Sequence, residues 1–379
     1  MRGCRACGGR ELQRVLDLGS VPAADHFPLA GDPVSATETS HPLAMDLCDE
    51  CGLAQLAEDD TVTAEARGVE PQALKDQAAD ALARVAEAGW LGGTTVREFG
   101  SPHGGSWLGL LAERGFTSTS GIADVVLDSF GIMHEPDQRT AFDVRAAATA
   151  PDGVLLLQYH SLAAIVAQGQ WNALRHGHFA YYSAAALERL LNDAGMSVVA
   201  SWTFDLYGGT VLVAAVHTAR LRIPGSGPLD ESLDESLGAA LKDGVLQRAA
   251  DEQVDELRSW LSDRKREGLR VFGYGAASRA VALFAMASLN RELLAAVADA
   301  APAKHGRRMP GTDIAVISPE ELVAANPDLV LLTLPDLLEE VSARLPVLTG
   351  RWVLVDRLTA DNGRSAPVAD AHRAGGGVR

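Results

Sequence analysis

VREFGSPHGGSWLGLLAERGFTSTSGIADVVLDSFGIMHEPD, residues 96–137, decides the fold and sets how far the chemistry can follow from it. A short β-type run, 94–99, ends in Glu98-Phe99-Gly100 and is followed by Gly104-Gly105 and an amphipathic segment, 107–114. Glycines at a strand-to-helix turn let the backbone approach a ligand, and the helix start offers unpaired N–H groups. A complete dinucleotide-type unit next shows a second strand ending in an acid that grips ribose hydroxyls, about 20 residues on. Here Thr117-Ser-Thr-Ser-Gly121 passes straight into another strand, 123–127, with no acid at the second strand's end. There is no room for the helix and strand that should come between. One half of a nucleotide site is present and the other half is missing.

The rest of the chain fits a soluble protein of several domains. Its 379 residues are 47% hydrophobic and 22% charged, with a net charge of −17. The acidic balance and the lack of a basic stripe argue against nucleic acid and anionic membrane as partners. No apolar run reaches the roughly 18 residues of a membrane span. The N-terminus has no signal-peptide core, so a cytoplasmic location is expected. Oligomeric state is not legible.

All four cysteines lie in the first 51 residues, as Cys4-x-x-Cys7 and Cys48-x-x-Cys51, each pair followed by glycine. Two such knuckles complete a closed, structural Cys4 zinc site. Two disulfides are the alternative, disfavoured by a cytoplasmic setting. His26 is a surface or packing residue if four thiolates already fill the ion's shell.

Residues 65–88 have helical spacing and lead into the glycine turn. After the strand at 123–127 come a loop with His134-Glu135-Pro136-Asp137, a helix at 138–148, a turn at Pro151-Asp-Gly153 and a buried strand, 154–159. Alternating strand and helix makes a parallel α/β sheet. WNALRHGHFAYY, 171–182, is the richest stretch chemically. His176 and His178, flanked by Arg175 and Tyr182, offer acid/base groups titrating near neutrality; a polar loop whose histidines cap backbone groups is the structural alternative. Ser183 caps a helix at 184–194. A hairpin follows, 198–206 and 211–216, turning at Tyr207-Gly208-Gly209-Thr210.

Residues 223–228 (IPGSGP) are the best linker in the chain, and a long amphipathic helix then runs to Gly268. Leu269-Arg-Val-Phe-Gly273-Tyr-Gly275-Ala-Ala-Ser278-Arg279 is a second strand–turn–helix, with Asp299 about 24 residues beyond Gly275, where an acid is expected. Gly273, Gly275, Ser278, Arg279 and Asp299 are therefore candidate nucleotide contacts, with stacking as structure the alternative. Lys304-His-Gly-Arg-Arg308 lies in a loop suited to phosphates. The domains expected are a zinc lobe (1–60), a truncated α/β domain (61–222), linker and long helix (223–268), a smaller Rossmann-like domain (269–360) and a disordered tail (361–379).

Together the paired knuckles, the middle block with HGHF, and the C-terminal GYGA, RRMPGT and SPEEL motifs resemble the bacterial deoxysugar C-methyltransferases, which act on nucleotide-linked ketosugars. Runs such as LDLGSVP, CDECGLAQL, HFAYYSAAALERL and YGGTVLV carry the similarity over residues 1–358. The resemblance implies an N-terminal zinc lobe, a central S-adenosylmethionine domain and a C-terminal Rossmann-like domain, with substrate between the last two. The departures fall at the chemistry. A glycine motif resembling E-x-A-S-N-D-G is here Glu98-Phe-Gly100-Ser-Pro-His-Gly104, so Glu98, Gly100 and Gly104 read as a vestigial cofactor site. Roughly 45 residues are gone if the central domain began at ordinary size. The tyrosine-rich entry segment is replaced by AEARG, 64–68. A Y-H-E-H-F-like run is Arg175-His176-Gly177-His178-Phe179, keeping both histidines but losing the tyrosine and the glutamate.

The expectation is a biosynthetic enzyme for a small-molecule intermediate that has given up the methyl donor. His178, with His176, would move a proton beside a carbonyl, giving isomerisation, elimination or cyclisation. Arg175 would hold an enolate oxygen, and Tyr182 or Tyr207 would donate a hydrogen bond. A working C-methyltransferase with a reduced cofactor site is the second expectation. A non-catalytic partner of a glycosyltransferase or methyltransferase is the third.

Overall fold

The computed structural model describes residues 3–61, 69–102, 104–221 and 234–358. The expected entry segment, linker and tail (64–68, 223–228 and 361–379) lie outside them.

The N-terminal lobe is built on β1 (Leu12–Val21), β2 (His41–Cys48) and β3 (Ala54–Leu56), paired antiparallel in that order. Its sheet is closed by a strand from far downstream: β8 (Ala180–Tyr181) pairs with β3. The lobe is thus sewn into the central domain by the residues that follow the HGHF motif.

The central domain runs α1 (Gln72–Glu87), β4 (Thr95–Phe99), α2 (Leu108–Glu113), β5 (Thr117–Ser118), β6 (Ala123–Ser129), α3 (Gln138–Ala148), β7 (Thr149–His160) and α4 (Leu162–Ala167). After β8 it continues with α5 (Ala184–Asp193), β9 (Met196–Phe204) and β10 (Thr210–His217). The six strands lie in the order β5-β4-β6-β7-β10-β9, with the last hairpin antiparallel. This is a class I methyltransferase-like sheet that ends at β5. Helix boundaries follow their caps: Asp137 accepts from Thr140 N (3.0 Å) at α3, and Ser183 from Ala186 N (3.2 Å) at α5. Pro151-Asp-Gly153 is not a turn between elements. Strand β7 runs through it, and the three residues bulge out between the pairs Ala123–Thr149 and Val125–Val154.

The C-terminal part holds α6 (Asp234–Lys242), the 22-residue α7 (Val245–Arg266), β11 (Val271–Tyr274), α8 (Ser278–Met286), β12 (Val297–Ala298), β13 (Val316–Ile317), α9 (Pro319–Ala325), β14 (Leu329–Leu332), α10 (Leu338–Arg344) and β15 (Trp352–Leu354). The sheet order β13-β12-β11-β14-β15, all parallel, is the Rossmann arrangement. Helix α7 buries Leu246, Ala250, Leu257 and Leu261, so its apolar stripe carries the period the sequence showed. These side chains share one core with Val15 and Leu16 of β1 and with Val281 and Phe284 of α8. The lobe therefore packs on the C-terminal domain as well as on the central one.

Candidate functional site

Cys4, Cys7, Cys48 and Cys51 converge, with all four sulfurs within 4.8 Å of one another. Cys4–Cys51 and Cys7–Cys48 sulfurs stand 3.5 and 3.6 Å apart. Four thiolates at about 2.3 Å around one zinc ion would lie about 3.8 Å from each other, so the set fits a closed tetrahedral centre. Gly8 and Gly52 take φ of +76° and +72°, the tight turns each knuckle needs.

On the central sheet the glycine turn is formed. Gly104 and Gly105 have φ of +87° and +82°, and the backbone face of Gly100 is open. Glu98 is spent within the turn, accepting from Ser106 Oγ (2.5 Å) and Trp107 N (2.7 Å). The neighbouring strand does not arrive. Ser118 pairs with Val96 at the start of β4, while β4 continues to Phe99 and β6 to Ser129. Strand β5 thus ends about 10 Å short of the sheet's carboxyl edge, at 3.3 Å per residue. Residues 119–122 lead directly into β6, and no acidic side chain of β5 or of this connection is available at the edge. The space beside Gly105 is taken from the other side, where Glu70 Oε1 and Leu74 approach.

A cavity of about 260 Å³ opens above this edge, between the central and C-terminal domains. Of the residues predicted to do chemistry, Arg175, His178 and Tyr207 line it; His176 and Tyr182 do not. His176 turns into the lobe, where Nε2 meets the Pro42 carbonyl (3.1 Å) and the ring stands against His41. Burial holds it below the usual histidine range. Tyr182 is buried among Phe142 and Tyr159, donating to Gln138 Oε1. Burial pushes its phenol well up. The neighbouring Tyr181 lines the cavity instead, its hydroxyl donating to Ala173 O and accepting from Arg175 N. Side chains alternate along this extended run, so adjacent tyrosines face opposite sides.

His178 meets a histidine that sequence reasoning left unassigned. Its ring lies edge-on to that of His134, with centroids 4.4 Å apart. His134 Nδ1 is 2.8 Å from the Gly177 carbonyl, which can only accept, so Nδ1 carries the proton and Nε2 is the basic nitrogen of the neutral ring. The loop presenting His134 is held by Asp128, whose Oδ1 accepts from Gly131 N (2.7 Å) and Ile132 N (2.9 Å). Asp128 is completely buried and paired with Arg145 (2.9 Å). Arg175 Nη1 donates to Ser278 Oγ (2.5 Å), and Nη2 approaches His178 Nδ1 (3.5 Å). Tyr207 has φ of +56°, held by the glycines that follow; a Cβ on Gly208 would strike the Gln170 side chain. His160, at the end of β7, is driven down to about 3 by burial and by the charges of Arg279 and Arg175, so it is neutral.

The second glycine turn works differently from its sequence expectation. Gly273 faces Val297, and a Cβ on Gly275 (φ +95°) would lie 2.6 Å from Thr333 Oγ1. Both glycines serve strand packing. Asp299 occupies the predicted position, but it caps its own turn: Oδ2 accepts from Ala276 N (2.8 Å) and Oδ1 from Ala301 N (2.8 Å). Ser278 and Arg279 do face a ligand space, the interdomain cavity rather than a dinucleotide groove of their own domain. Lys304 also lines the cavity and donates to Ala276 O (2.8 Å). Arg307 and Arg308 point away from it. Arg308 is buried against the lobe, bonded to both Glu38 carboxylate oxygens (2.6 and 2.8 Å) and to the carbonyls of Asp32 and Pro33. It is a domain clamp.

Three family models match in series: a putative zinc binding domain over 4–66, a methyltransferase domain over 53–201, and a C-methyltransferase C-terminal domain over 206–354. The chain is similar to the C-methyltransferase NovU of Streptomyces niveus, at 27% identity over 378 residues, covering 87% of this chain and 88% of that protein. Among solved structures, magnesium protoporphyrin IX methyltransferase from Synechocystis PCC 6803 overlaps 38% of this chain and 84% of its own, at 14% identity and a TM-score of 0.28. The mitomycin 7-O-methyltransferase MmcR overlaps 38% of this chain and 54% of its own, at 16% identity and a TM-score of 0.30. With zinc lobe, central domain and C-terminal domain matched in that order, the chain matches the zinc-lobed C-methyltransferase family along nearly its whole length.

Proposed function

We propose that this protein is a natural-product biosynthetic enzyme that moves protons rather than methyl groups. Its substrate would be a nucleotide-linked ketosugar or polyketide-like molecule. The observation that carries the proposal is the length of β5. A ribose-gripping acid stands at the carboxyl end of the strand beside the glycine turn, and β5 ends about three residues below that level, at 3.3 Å per residue. The residues at the turn do not fit the adenosine half of S-adenosylmethionine, since Glu98 is consumed by Ser106 and Trp107. Each missing charge-assisted hydrogen bond is worth about 1.5–3 kcal/mol, and each 1.4 kcal/mol is about tenfold in affinity.

The other side of the cavity is equipped for enolisation. His178, next to His134, takes a proton from the carbon beside a carbonyl. The Arg175 guanidinium receives the negative charge that develops on the carbonyl oxygen, and Tyr207 donates a hydrogen bond to it. Return of the proton to the opposite face of that carbon isomerises the substrate by epimerisation, while departure of a β-substituent with its bonding pair, protonated as it leaves, completes an elimination; neither needs a redox partner. His176 and Tyr182 have no part in this scheme.

Incubation of the protein with a thymidine diphosphate 4-ketosugar in D2O should exchange the α-hydrogens, read by mass spectrometry. His178→Ala should slow exchange by about 10²–10⁴-fold. Calorimetry with S-adenosylmethionine should be silent. The second reading, methyl transfer on a reduced cofactor site, draws on the family match and on the preserved Gly104-Gly105 turn. Micromolar binding of the donor with a methylated product would establish it and overturn the proposal.

A further inference from the structure

Arg5 stands between the two cysteines of the first knuckle, and it reaches both loops that carry the facing histidines. Its carbonyl accepts from Gln138 N (3.1 Å) and its Nη1 donates to Pro136 O (3.1 Å), which fixes the far end of the His134 loop. Its guanidinium lies over the Phe179 ring, 4.7 Å from the centroid and one residue past His178. Nε and Nη2 both donate to Leu56 O (3.3 and 3.2 Å), and Leu56 N in turn donates to Phe179 O (3.2 Å). One planar fork thus ties the knuckle, the end of β3 and both loops together. Between the loops, Phe179 N donates to Met133 O (2.7 Å) and His134 Nδ1 to Gly177 O (2.8 Å). The lobe also holds Gly177 from its other side, where Asp59 Oδ2 accepts from the Gly177 N–H (2.7 Å). The knuckle's own turn, Cys4 N to Gly9 O (2.7 Å) and Gly8 N to Cys4 O (2.9 Å), fixes the Arg5 backbone. Arg5 does not line the cavity, so any effect it has on chemistry passes through the histidines.

We infer that Arg5 is a positioning residue: it carries the fixed geometry of the first zinc knuckle to the His134–His178 pair, and so sets which ring nitrogen of His134 holds the proton. This rests on those histidines doing the chemistry of the proposed function, and it gives the zinc lobe a part in that chemistry beyond holding the fold. A purely structural anchor would leave the state of the His134 ring indifferent to the Arg5 fork.

Ring-nitrogen NMR of the full chain labelled with 15N-histidine tests it, alongside deuterium exchange by the same samples. In the parent, His134 should carry its proton on Nδ1, facing Gly177 O. Arg5→Met keeps the stem over Phe179 and removes the fork; its zinc content, measured first, should stay at that of the parent. His134 should then drift to a mixture of tautomers, and kcat for exchange should fall by up to about 100-fold with KM unchanged. Arg5→Lys keeps charge and stem but is a point donor, able to reach Pro136 O or Leu56 O and not both. It should behave as the methionine variant does, and it takes that variant's place if zinc is lost there. A His134 proton still fixed on Nδ1 in either zinc-loaded variant overturns the inference, whatever the rate does. So does a mixed tautomer at the parental rate. If no form of the protein exchanges deuterium while the tautomer shifts as expected, the proposed chemistry fails and the coupling of knuckle to histidines stands.

Discussion

Replacing Arg145 by methionine should be costly, and the cost should depend on pH in a direction the structure dictates. Arg145 Nε donates to Asp128 Oδ2 (2.9 Å), its fork reaches Glu135 (3.2 Å), and its guanidinium stacks 4.3 Å from the Phe99 ring. Methionine keeps the stem's length and apolar contact while removing the charge. Asp128 is then a fully buried carboxylate with two backbone N–H donors and no counter-ion. Breaking a buried pair by deleting one partner costs about 3–5 kcal/mol; the surviving amide bonds place this case at about 3–4. Burial already raises the Asp128 carboxyl above its ordinary value with Arg145 beside it. Its folded pKa thus exceeds the unfolded one, so its share of stability is intact in acid and is lost as pH rises. Without Arg145 the folded value rises further. The deficit of Arg145→Met against the parent should therefore be largest at pH 8 and shrink at pH 5.5, measured by urea unfolding of both proteins. Adding Asp128→Asn, which keeps an acceptor for Gly131 and Ile132, should recover most of the loss. A deficit below about 1 kcal/mol, or one equal at the two pH values, would refute the reasoning.

Two further outcomes follow from the geometry. The protein should bind one zinc per chain, and its removal by a chelator should destabilise the molecule more than any single substitution above, because structural zinc contributes about 10–16 kcal/mol in small domains; lowering the pH should release the ion as the thiolates protonate. Tyr182→Phe should cost about 1–2 kcal/mol by leaving the buried Gln138 Oε1 without its donor, and leave deuterium exchange unchanged. A large loss of exchange there would return Tyr182 to the chemistry.

Local spacing made the zinc centre legible, since each knuckle writes its geometry into four consecutive positions. The shortened central domain was legible too, because the distance from Gly105 to Ala123 leaves no residues for another helix and strand. Side-chain direction was not. His176 and His178 are two apart, yet the αL glycine between them (Gly177, φ +77°) sends one ring to the lobe and the other to the cavity. Tyr181 and Tyr182 exchange roles for the reason that β8 has two faces. His134 was visible as part of a loop motif, but its partner lies 44 residues on, and only the fold brings the rings together. Arg308 misled for a similar reason: an arginine pair in a glycine-rich loop suits phosphates, and its true partner, Glu38, is 270 residues upstream.

The short strand β5 lies at a tolerant place. In the order β5-β4-β6-β7-β10-β9, the sheet ends at β5, so every other ladder keeps both its partners whatever the length of that edge strand. Excision anywhere inside would have torn the sheet in two. A short strand at the rim leaves the remaining architecture free to fold, which makes this flank the place to graft residues when testing how the length of β5 bears on binding of the methyl donor.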